Sequence, residues 1–364
     1  MDTFWLNSAF YQAFRSLGNT GKNPAVGCIL VNNNKVVGVG STSANGRPHA
    51  EENAIEMAGK EVVGSTIYVT LEPCNLVENY FSCTKIIIRS GIKKVVIGAL
   101  DPNPLTYKKG YNELVKKGIN VVIKKISFQN FLINYSQLSI HLNNKPMIGL
   151  KMAVSLDGNI TNAITENQWI TSKFSREHVH QIRSIYDAVM VGTNTMLSDN
   201  PSLDVRIFGY KQNNYRIVFD KNLTINPKSN LFKNLKKNPL IIFTKKITNK
   251  KKYKKLLSLG VTINEIKLDN EKKLCLDAFI KKIKNSKIKS ILLEGGSKIA
   301  TSFLNKGLID IMYLYRSNKF TGKGSLNVVD KIKNIDDFEL FNTVNLNNEK
   351  LEIWINKNIK KWHR

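Results

Sequence analysis

The sequence predicts an α/β protein built from two successive domains, and three observations carry that reading. Short β-branched runs alternate with amphipathic helical stretches along the whole chain. The 364 residues, 42% of them hydrophobic, can bury more core than one domain needs. A polar stretch, HLNNKP at residues 141–146, interrupts the alternation, and Pro146 bars a helix from running through it. The expected division is residues 1–145 and residues 146–364.

The elements follow in order. MDTFWLNSAFYQAFRSLG spaces Leu6, Phe10, Ala13, Phe14 and Leu17 as one face of an amphipathic helix, not as the apolar core of a signal peptide. VGCILV and KVVGVG read as a strand pair, HAEENAIEMAG as a helix and TIYVT as a strand. TKIIIRSG, KKVVIG, YNELVKKG and INVVI continue as helix, strand, helix and strand, and FQNFLINYSQLSI closes the first half as a helix. The second half opens with strand MIGLKMAV, followed by helix SREHVHQIRSIY and strands DAVMVG, RIVFD and LIIF. Helix KKYKKLLSLG, strand VTI, helix LCLDAFIKKIKN, strand SILLE, helix SKIATSFLNKG, strand IDIMYLYR and strand LEIWIN complete it. Near-continuous apolar strands such as SILLE are what a sheet buried on both faces requires.

Lys and Arg total 55 against 28 Asp and Glu, a formal charge of +27. The lysines are dispersed through the second half without the interleaved aromatics of a base-stacking surface, so no nucleic-acid partner is expected. Four cysteines suggest no disulfide framework and fit a reducing, cytoplasmic setting. No apolar run approaches the ~20 residues of a membrane span.

One constellation carries chemistry. PHAE at residues 48–51 and EPCNLVENYFSC at residues 72–83 supply His49, Cys74 and Cys83, three ligands of the kind a catalytic Zn²⁺ takes while keeping one position open for water. Glu51, two residues after the histidine at a helix start, reaches the same pocket without ligating and can relay a proton from water to departing ammonia. The reaction class is hydrolytic deamination of an amino-bearing ring. Cys28 and Cys275 read as packing residues.

These motifs resemble the zinc-dependent nucleobase deaminases, and within them the deaminase half of the bifunctional riboflavin-biosynthesis pyrimidine deaminase/reductases. The likeness rests on NPAVGCILV (23–31), RPHAE (47–51), VTLEPC (69–74), ALDPNP (99–104) and the eight residues between Cys74 and Cys83, where nucleoside and tRNA deaminases have two. It implies a three-layer, cytidine-deaminase-like first domain. The chain departs from the family at Leu76, where a histidine is typical, at ENYFS, where GRTPP or GKTPP is typical, and at Lys22, where a proline is typical.

The second half offers no metal cluster, and its candidate polar residues at strand ends, such as Asp157, are singly no more than caps, turns or solvated charges. ILLEGGSKIA places a Gly-Gly turn between strand and helix, which reads either as a tight connection or as a phosphate cradle. LKMAVSLDGNI, QWITS, VHQIR, DAVMVGTNTMLSDNPSLDVR and LLEGGSKIATSFLNKGLID together resemble the reductase half of the same family, whose fold resembles dihydrofolate reductase. The resemblance implies NADPH as hydride donor, contacted by Ala153, Trp169, Thr195, Asp199, Lys221 and the stretch Gly296, Ser297, Lys298, Ile299, Ala300, Thr301 and Ser302. It implies a substrate site at Asn167, Arg183, Leu203, Arg206 and Glu294, with the two arginines as phosphate partners. Asn167 replaces a usual serine, and Ile311 a frequent glutamate.

The expected function is zinc-dependent deamination of a phosphoribosylamino-diaminopyrimidine, then NADPH reduction of its ribosyl to a ribityl chain. The expected partners are small phosphorylated pyrimidines, with no membrane partner, and the family implies a homo-oligomer. Two other readings are a reductase whose first domain binds zinc but not substrate, motivated by Leu76 and ENYFS, and a nucleic-acid-editing deaminase.

Overall fold

The computed structural model describes residues 1–21, 23–75, 82–161, 169–208, 214–322, 324–333 and 338–362. Asn167, Lys22, Leu76 and most of the ENYFS run lie outside the described residues. The chain forms two compact units, Met1–Asn144 and Lys145–Trp362. Among the described residues no helix is long and apolar enough to cross a membrane.

The first unit contains α1 (Asp2–Ser16), β1 (Gly27–Asn32), β2 (Lys35–Ser41), α2 (Ala50–Ala58), β3 (Thr66–Val69), α3 (Cys83–Arg89), β4 (Lys94–Ile97), α4 (Lys109–Lys116), β5 (Asn120–Ile123) and α5 (Phe128–Asn143). Its sheet runs β2-β1-β3-β4-β5, with β3, β4 and β5 parallel and β1 antiparallel to both its neighbours. Asn33 and Asn34, at φ 49° and 59°, supply the two left-handed residues that a tight β1–β2 hairpin needs. Leu6, Phe10, Ile29, Tyr68 and Val96 form the core on the α1 and α5 face. Cys28, Ala54, Ile67, Ile87, Val95 and Leu114 form the core under α2, α3 and α4. The result is a three-layer unit.

Two expectations shift. Phe14 stands 63% exposed, because α1 turns Leu6, Ala9, Phe10 and Ala13 inward and ends before Leu17. The stretch at 141–146 is not a free linker from its start: α5 continues through Asn143 and is closed by Asn144 in the left-handed region at φ 55°.

The second unit contains β6 (Met147–Val154), α6 (Lys173–Ser184), β7 (Ala188–Gly192), α7 (Thr193–Asp199), β8 (Tyr215–Phe219), β9 (Leu240–Thr244), α8 (Lys250–Ser258), β10 (Thr262–Glu265) and α9 (Leu276–Ile283). It continues with β11 (Ser290–Glu294), α10 (Ser297–Asn305), β12 (Ile311–Arg316), β13 (Phe338–Leu346) and β14 (Glu349–Asn356). The nine-stranded sheet runs β10-β9-β8-β7-β11-β6-β12-β14-β13, parallel except at β14, which is antiparallel to both its neighbours. Late in sequence, β11 lies between β7 and β6. Asp187 fixes its entry by accepting from the Lys289 and Ser290 N–H groups at 2.7 and 3.0 Å. One face closes over Phe219, Phe243, Phe279 and Phe303.

Here α7 and β13 are elements that the residue pattern did not predict. Only Met196 of α7 is buried, so no apolar stripe marks it. Five consecutive residues of β13 are exposed, so its pairing to β14 rests on backbone hydrogen bonds and not on alternation. Ile311 is structural, 7% exposed and paired with Gly149 and Ile355. Asp310 before it leaves the strand to accept from Lys145 Nζ and the Ile148 N–H at 2.5 and 2.8 Å.

Candidate active sites

In the first unit, α2 and α3 bring three ligand atoms together. His49 is the N-cap of α2, where its own N–H donates to Glu52 Oε2 at 2.5 Å. Gly40 of β2 admits α2 at close range, since a Cβ there would lie 2.0 Å from the Ala50 carbonyl oxygen. Cys83 opens α3 behind the N-cap Ser82, and Cys74 follows β3 through Pro73. The His49 Nδ1 to Cys83 Sγ distance is 3.2 Å, Cys74 Sγ to His49 Nδ1 is 3.6 Å, and Cys74 Sγ to Cys83 Sγ is 3.5 Å.

Those edges, 3.2–3.6 Å, approach the size of a zinc site, the His49–Cys83 edge being the shortest. Bond lengths of about 2.3 Å to sulfur and 2.0–2.1 Å to nitrogen at tetrahedral angles require edges of about 3.6–3.8 Å. The Cys83 N–H also points to Cys74 Sγ at 3.5 Å, so the positive end of α3 favours thiolate there. The bond from Cys83 and the nearby His49 pull the Cys74 thiol down to about 4, against the opposing effect of burial, while the shared proton keeps Cys83 high.

Glu51, the second residue of α2, is 3% exposed, and burial pushes its carboxyl up to about 7 while the His49 ring draws it down. It sits beside Cys83 and does not belong to the triangle, which is where a proton carrier is needed. Cys28 is buried with its thiol pushed up by desolvation, as a packing residue should be. Glu72 is a residue that sequence reasoning missed. Its carboxylate accepts the N–H groups of Asp101, Lys108 and Tyr111 at 3.2, 3.1 and 3.0 Å, tying the Pro73–Cys74 segment to α4 and the ALDPNP loop. A glutamate held between an apolar strand and a proline was the available signal.

In the second unit, the carboxyl ends of the parallel strands gather most of the expected residues. Glu294 ends β11 and is held by Arg183 of α6, Nε to Oε1 at 2.6 Å and Nη2 to Oε2 at 2.9 Å. Arg183 also donates through Nη1 to the Asp204 carbonyl oxygen at 2.9 Å. Three of its five N–H groups are therefore committed to partners among the described residues. Arg206 pairs with the Asp204 carboxylate and keeps 60% of its side chain exposed, which leaves it the freer of the two arginines. Leu203 is buried in the left-handed region at φ 53°.

Thr195 of α7 lies over the Gly-Gly turn, where a Cβ on Gly295 would meet its Cγ2 at 2.8 Å. Gly295 and Gly296 have φ 83° and 50°, and the first helical bond of α10 runs from the Ala300 N–H to the Gly296 carbonyl. The N–H groups of Ser297, Lys298 and Ile299 precede that bond, an arrangement that fits a dinucleotide phosphate. Farther along, Ala300 packs inside, Thr301 Oγ1 accepts the Asp330 N–H at 2.8 Å, and Ser302 Oγ donates to the Lys298 carbonyl at 2.9 Å.

The remaining expected contacts are less gathered. Ala153 sits on β6 opposite Tyr315, Trp169 is 57% exposed with the Arg176 guanidinium 4.6 Å from its ring, and Lys221 Nζ donates to the Lys272 carbonyl at 3.2 Å. Asp199 acts electrostatically on Lys151.

Lys151 was missed. It is half-buried on β6 in register with Glu294, 5.8 Å from the Tyr315 ring centroid, and desolvation lowers its pKa against the pull of Glu294. A lysine inside MIGLKMAV was the signal. His178 Nδ1 meets Tyr315 Oη at 2.9 Å, and His180 Nδ1 accepts the Arg206 N–H at 3.2 Å.

A zinc-type deaminase centre in one unit and a nucleotide-type reductase site in the other define a two-activity enzyme class. The cytidine and deoxycytidylate deaminase zinc-binding region model matches residues 2–99, and the RibD C-terminal domain model matches residues 146–352. The riboflavin biosynthesis protein RibD of Aquifex aeolicus is 37% identical over 324 residues, 89% of each chain, and that of Escherichia coli is 30% identical over 334 residues, 88% of this chain and 89% of that one. Among solved structures, Acinetobacter baumannii RibD aligns with TM-score 0.86 at 28% identity, covering 98% of this chain and 99% of that one. A Thermotoga maritima diaminohydroxyphosphoribosylaminopyrimidine deaminase/5-amino-6-(5-phosphoribosylamino)uracil reductase aligns with TM-score 0.83 at 30% identity, covering 98% of each. The chain belongs to the RibD family of riboflavin biosynthesis proteins. It is a bifunctional deaminase and reductase of riboflavin biosynthesis, zinc-dependent in the first activity and NADPH-dependent in the second.

Proposed function

We propose that residues 1–145 form the zinc-dependent pyrimidine deaminase domain and residues 146–364 the NADPH-dependent reductase domain. The first converts 2,5-diamino-6-(5-phosphoribosylamino)pyrimidin-4(3H)-one to 5-amino-6-(5-phosphoribosylamino)uracil, and the second reduces the ribosyl chain to ribityl. The observation that carries this reading is the His49, Cys74 and Cys83 triangle with buried Glu51 beside it.

His49, Cys74 and Cys83 would hold the ion, which when bound lowers the pKa of water and so supplies a nucleophile at neutral pH. Glu51 takes the proton from that water and passes it to the departing amine. A carboxyl pushed up to about 7 by burial is matched to carrying a proton in both directions near neutrality.

In the reductase, NADPH supplies the hydride. Thr195 and the Gly296–Ser302 turn bind its phosphates through the first-turn N–H groups of α10, and Ala153, Trp169, Asp199 and Lys221 complete its contacts. Glu294, oriented by Arg183, and Arg206 meet the sugar phosphate, with Leu203 closing the loop and Asn167 as a further substrate contact. Lys151, half-buried on the strand beside Glu294, sets a cation next to the reacting sugar.

The substrate partners are small phosphorylated pyrimidines. A cysteine pair that must stay reduced to hold a metal supports a cytoplasmic setting. The exposed edge strand β13, with Leu340 46% and Phe341 37% exposed, supports a homo-oligomer.

Two assays on the zinc-loaded chain test the reading: ammonia release from the diaminopyrimidine, and NADPH oxidation on the deaminated product. Both activities are expected, and ammonia release should disappear on chelation while NADPH oxidation persists. Stoichiometric zinc with no ammonia release would reduce the first domain to a binding module.

A further inference from the structure

The loop between α7 and β8 is held by three side chains outside it. The Ser202 carbonyl accepts from Arg216 Nη1 at 3.3 Å, the Asp204 carbonyl accepts from Arg183 Nη1 at 2.9 Å, and the Arg206 N–H donates to His180 Nδ1 at 3.2 Å. Alternate peptides from 202 to 206 are thus fixed in turn. Leu203, between the first two, stays in the left-handed region with its side chain 2% exposed. A leucine persists in that conformation only where its surroundings over-determine it.

Arg216 is an unusual group for its place. It lies in β8 at 1% exposure, and its Nη2 donates to the Asn238 carbonyl. Its Nε meets no hydrogen-bond partner among the described residues. Burial lowers its pKa to about 10, with Asp204 opposing. A buried cation without a directly bonded anion is costly, and an apolar residue would fill the same space more favourably. What the guanidinium adds is a rigid fork that joins the Ser202 carbonyl to the Asn238 carbonyl across the start of β8. His180, also buried, adds an acceptor for the Arg206 N–H.

We propose that Arg216 and His180 are positioning residues of the reductase, which act with Arg183 to fix residues 202–206 so that Leu203 and Arg206 meet the phosphorylated substrate in a preset geometry. The proposal rests on the reading of Leu203 and Arg206 as substrate contacts. The Arg206 side chain is 60% exposed and pairs with Asp204 of the same loop, so its aim depends on the backbone that carries both. Fixing that backbone before binding removes an ordering cost from substrate association. The NADPH contacts on α7 and α10 are not part of the clamp, which separates the two binding constants.

The test uses the full, zinc-loaded chain and steady-state NADPH oxidation with the deaminated ribosylamino phosphate. Arg216→Met and His180→Phe should raise KM for the pyrimidine about 10- to 100-fold, the range for a small misplacement originating away from the chemistry. KM for NADPH, kcat and ammonia release should stay as in the parent. Arg216→Lys should remain defective, because one ammonium cannot span both carbonyls. His180→Asn should recover the parent KM, because its Oδ1 can take the Arg206 N–H.

Arg206→Ala runs alongside. If it raises the pyrimidine KM while Arg216→Met and His180→Phe do not, the clamp is overturned and the substrate site stands. If Arg206→Ala leaves KM unchanged, the substrate reading falls and the clamp with it. Parallel rises in both KM values, or a fall in kcat alone, would show a merely structural role and overturn the proposal. If Arg216→Met does not fold, the His180→Phe and His180→Asn pair decides.

Discussion

Replacing Arg183 by methionine removes a guanidinium that grips Glu294 through two bonds of 2.6 and 2.9 Å. The two side chains are 12% and 9% exposed, so water cannot take over. Burial alone would raise the Glu294 carboxyl; Arg183, with help from Lys151 and His180, carries it instead to about 2. Against its ordinary 4.5 that is a depression of about 2.5 (4.5 − 2), worth about 3 kcal/mol at about 1.36 kcal/mol per pH unit. Removing one member of a buried pair costs about 3–5 kcal/mol by a separate rule, and the two figures agree. A domain of this size loses about 2–4 °C per kcal/mol, so a loss of about 3 kcal/mol should lower the reductase transition by about 6–12 °C at pH 7. The sign of the acid dependence follows from the depressed value: the stability is present above pH 4.5 and is lost as pH falls toward about 2. Calorimetry of the parent and the variant across that window is the assay, with ammonia release as the check on the first unit. A fall of under about 2 °C, or an acid dependence identical to the parent's, would refute the claim that this pair holds the site.

Three other outcomes are expected. Glu51→Gln should lower ammonia release by about 10²–10⁴-fold, with zinc content and NADPH oxidation unchanged; metal analysis beside the two activity assays checks it. Gly110→Ala places a Cβ 2.0 Å from the Pro73 carbonyl oxygen. It should displace the Cys74 segment at a cost of about 1–3 kcal/mol, read as faster zinc loss to a chelator. His180 is held neutral down to about pH 4 by burial first and by Arg183 and Arg206 second. Its folded pKa is below the ordinary value of 6.5, so stability is complete above that pH and declines as pH drops toward 4. Replacing it with asparagine should flatten that part of the reductase stability profile, measured by urea titration at several pH values.

The zinc triangle was legible because its chemistry is local in sequence: PHAE opens a helix, EPC ends a strand, and Cys83 opens another helix. Its supports were not, because Glu72 acts on Asp101, Lys108 and Tyr111, which only the fold brings near. Buried parallel strands such as SILLE and DAVMVG announce themselves through unbroken apolar runs, whereas α7 and β13 carry no apolar period. In the reductase site, Arg183 and Glu294 were placed in one pocket by resemblance, but their separation of 111 positions hides that they bond to each other. Lys151, His180 and Arg216 escaped notice for a related reason. A charged residue in a strand or helix gives no sign, in sequence, of which backbone group it will meet.

The place of β11 in the sheet governs when each activity can appear on a growing chain. Its residues, Ser290–Glu294, are made after β6 through β10, yet they must enter between β6 and β7. Until the ribosome has passed that point, β6 and β7 have no common neighbour, Asp187 has no Lys289 and Ser290 amides to receive, and Arg183 has no carboxylate. The deaminase ligands are all translated within the first quarter of the chain, Cys83 being the last. A truncated translation product can therefore assemble the first catalytic centre but never a partial version of the second, and the reductase emerges in one late step.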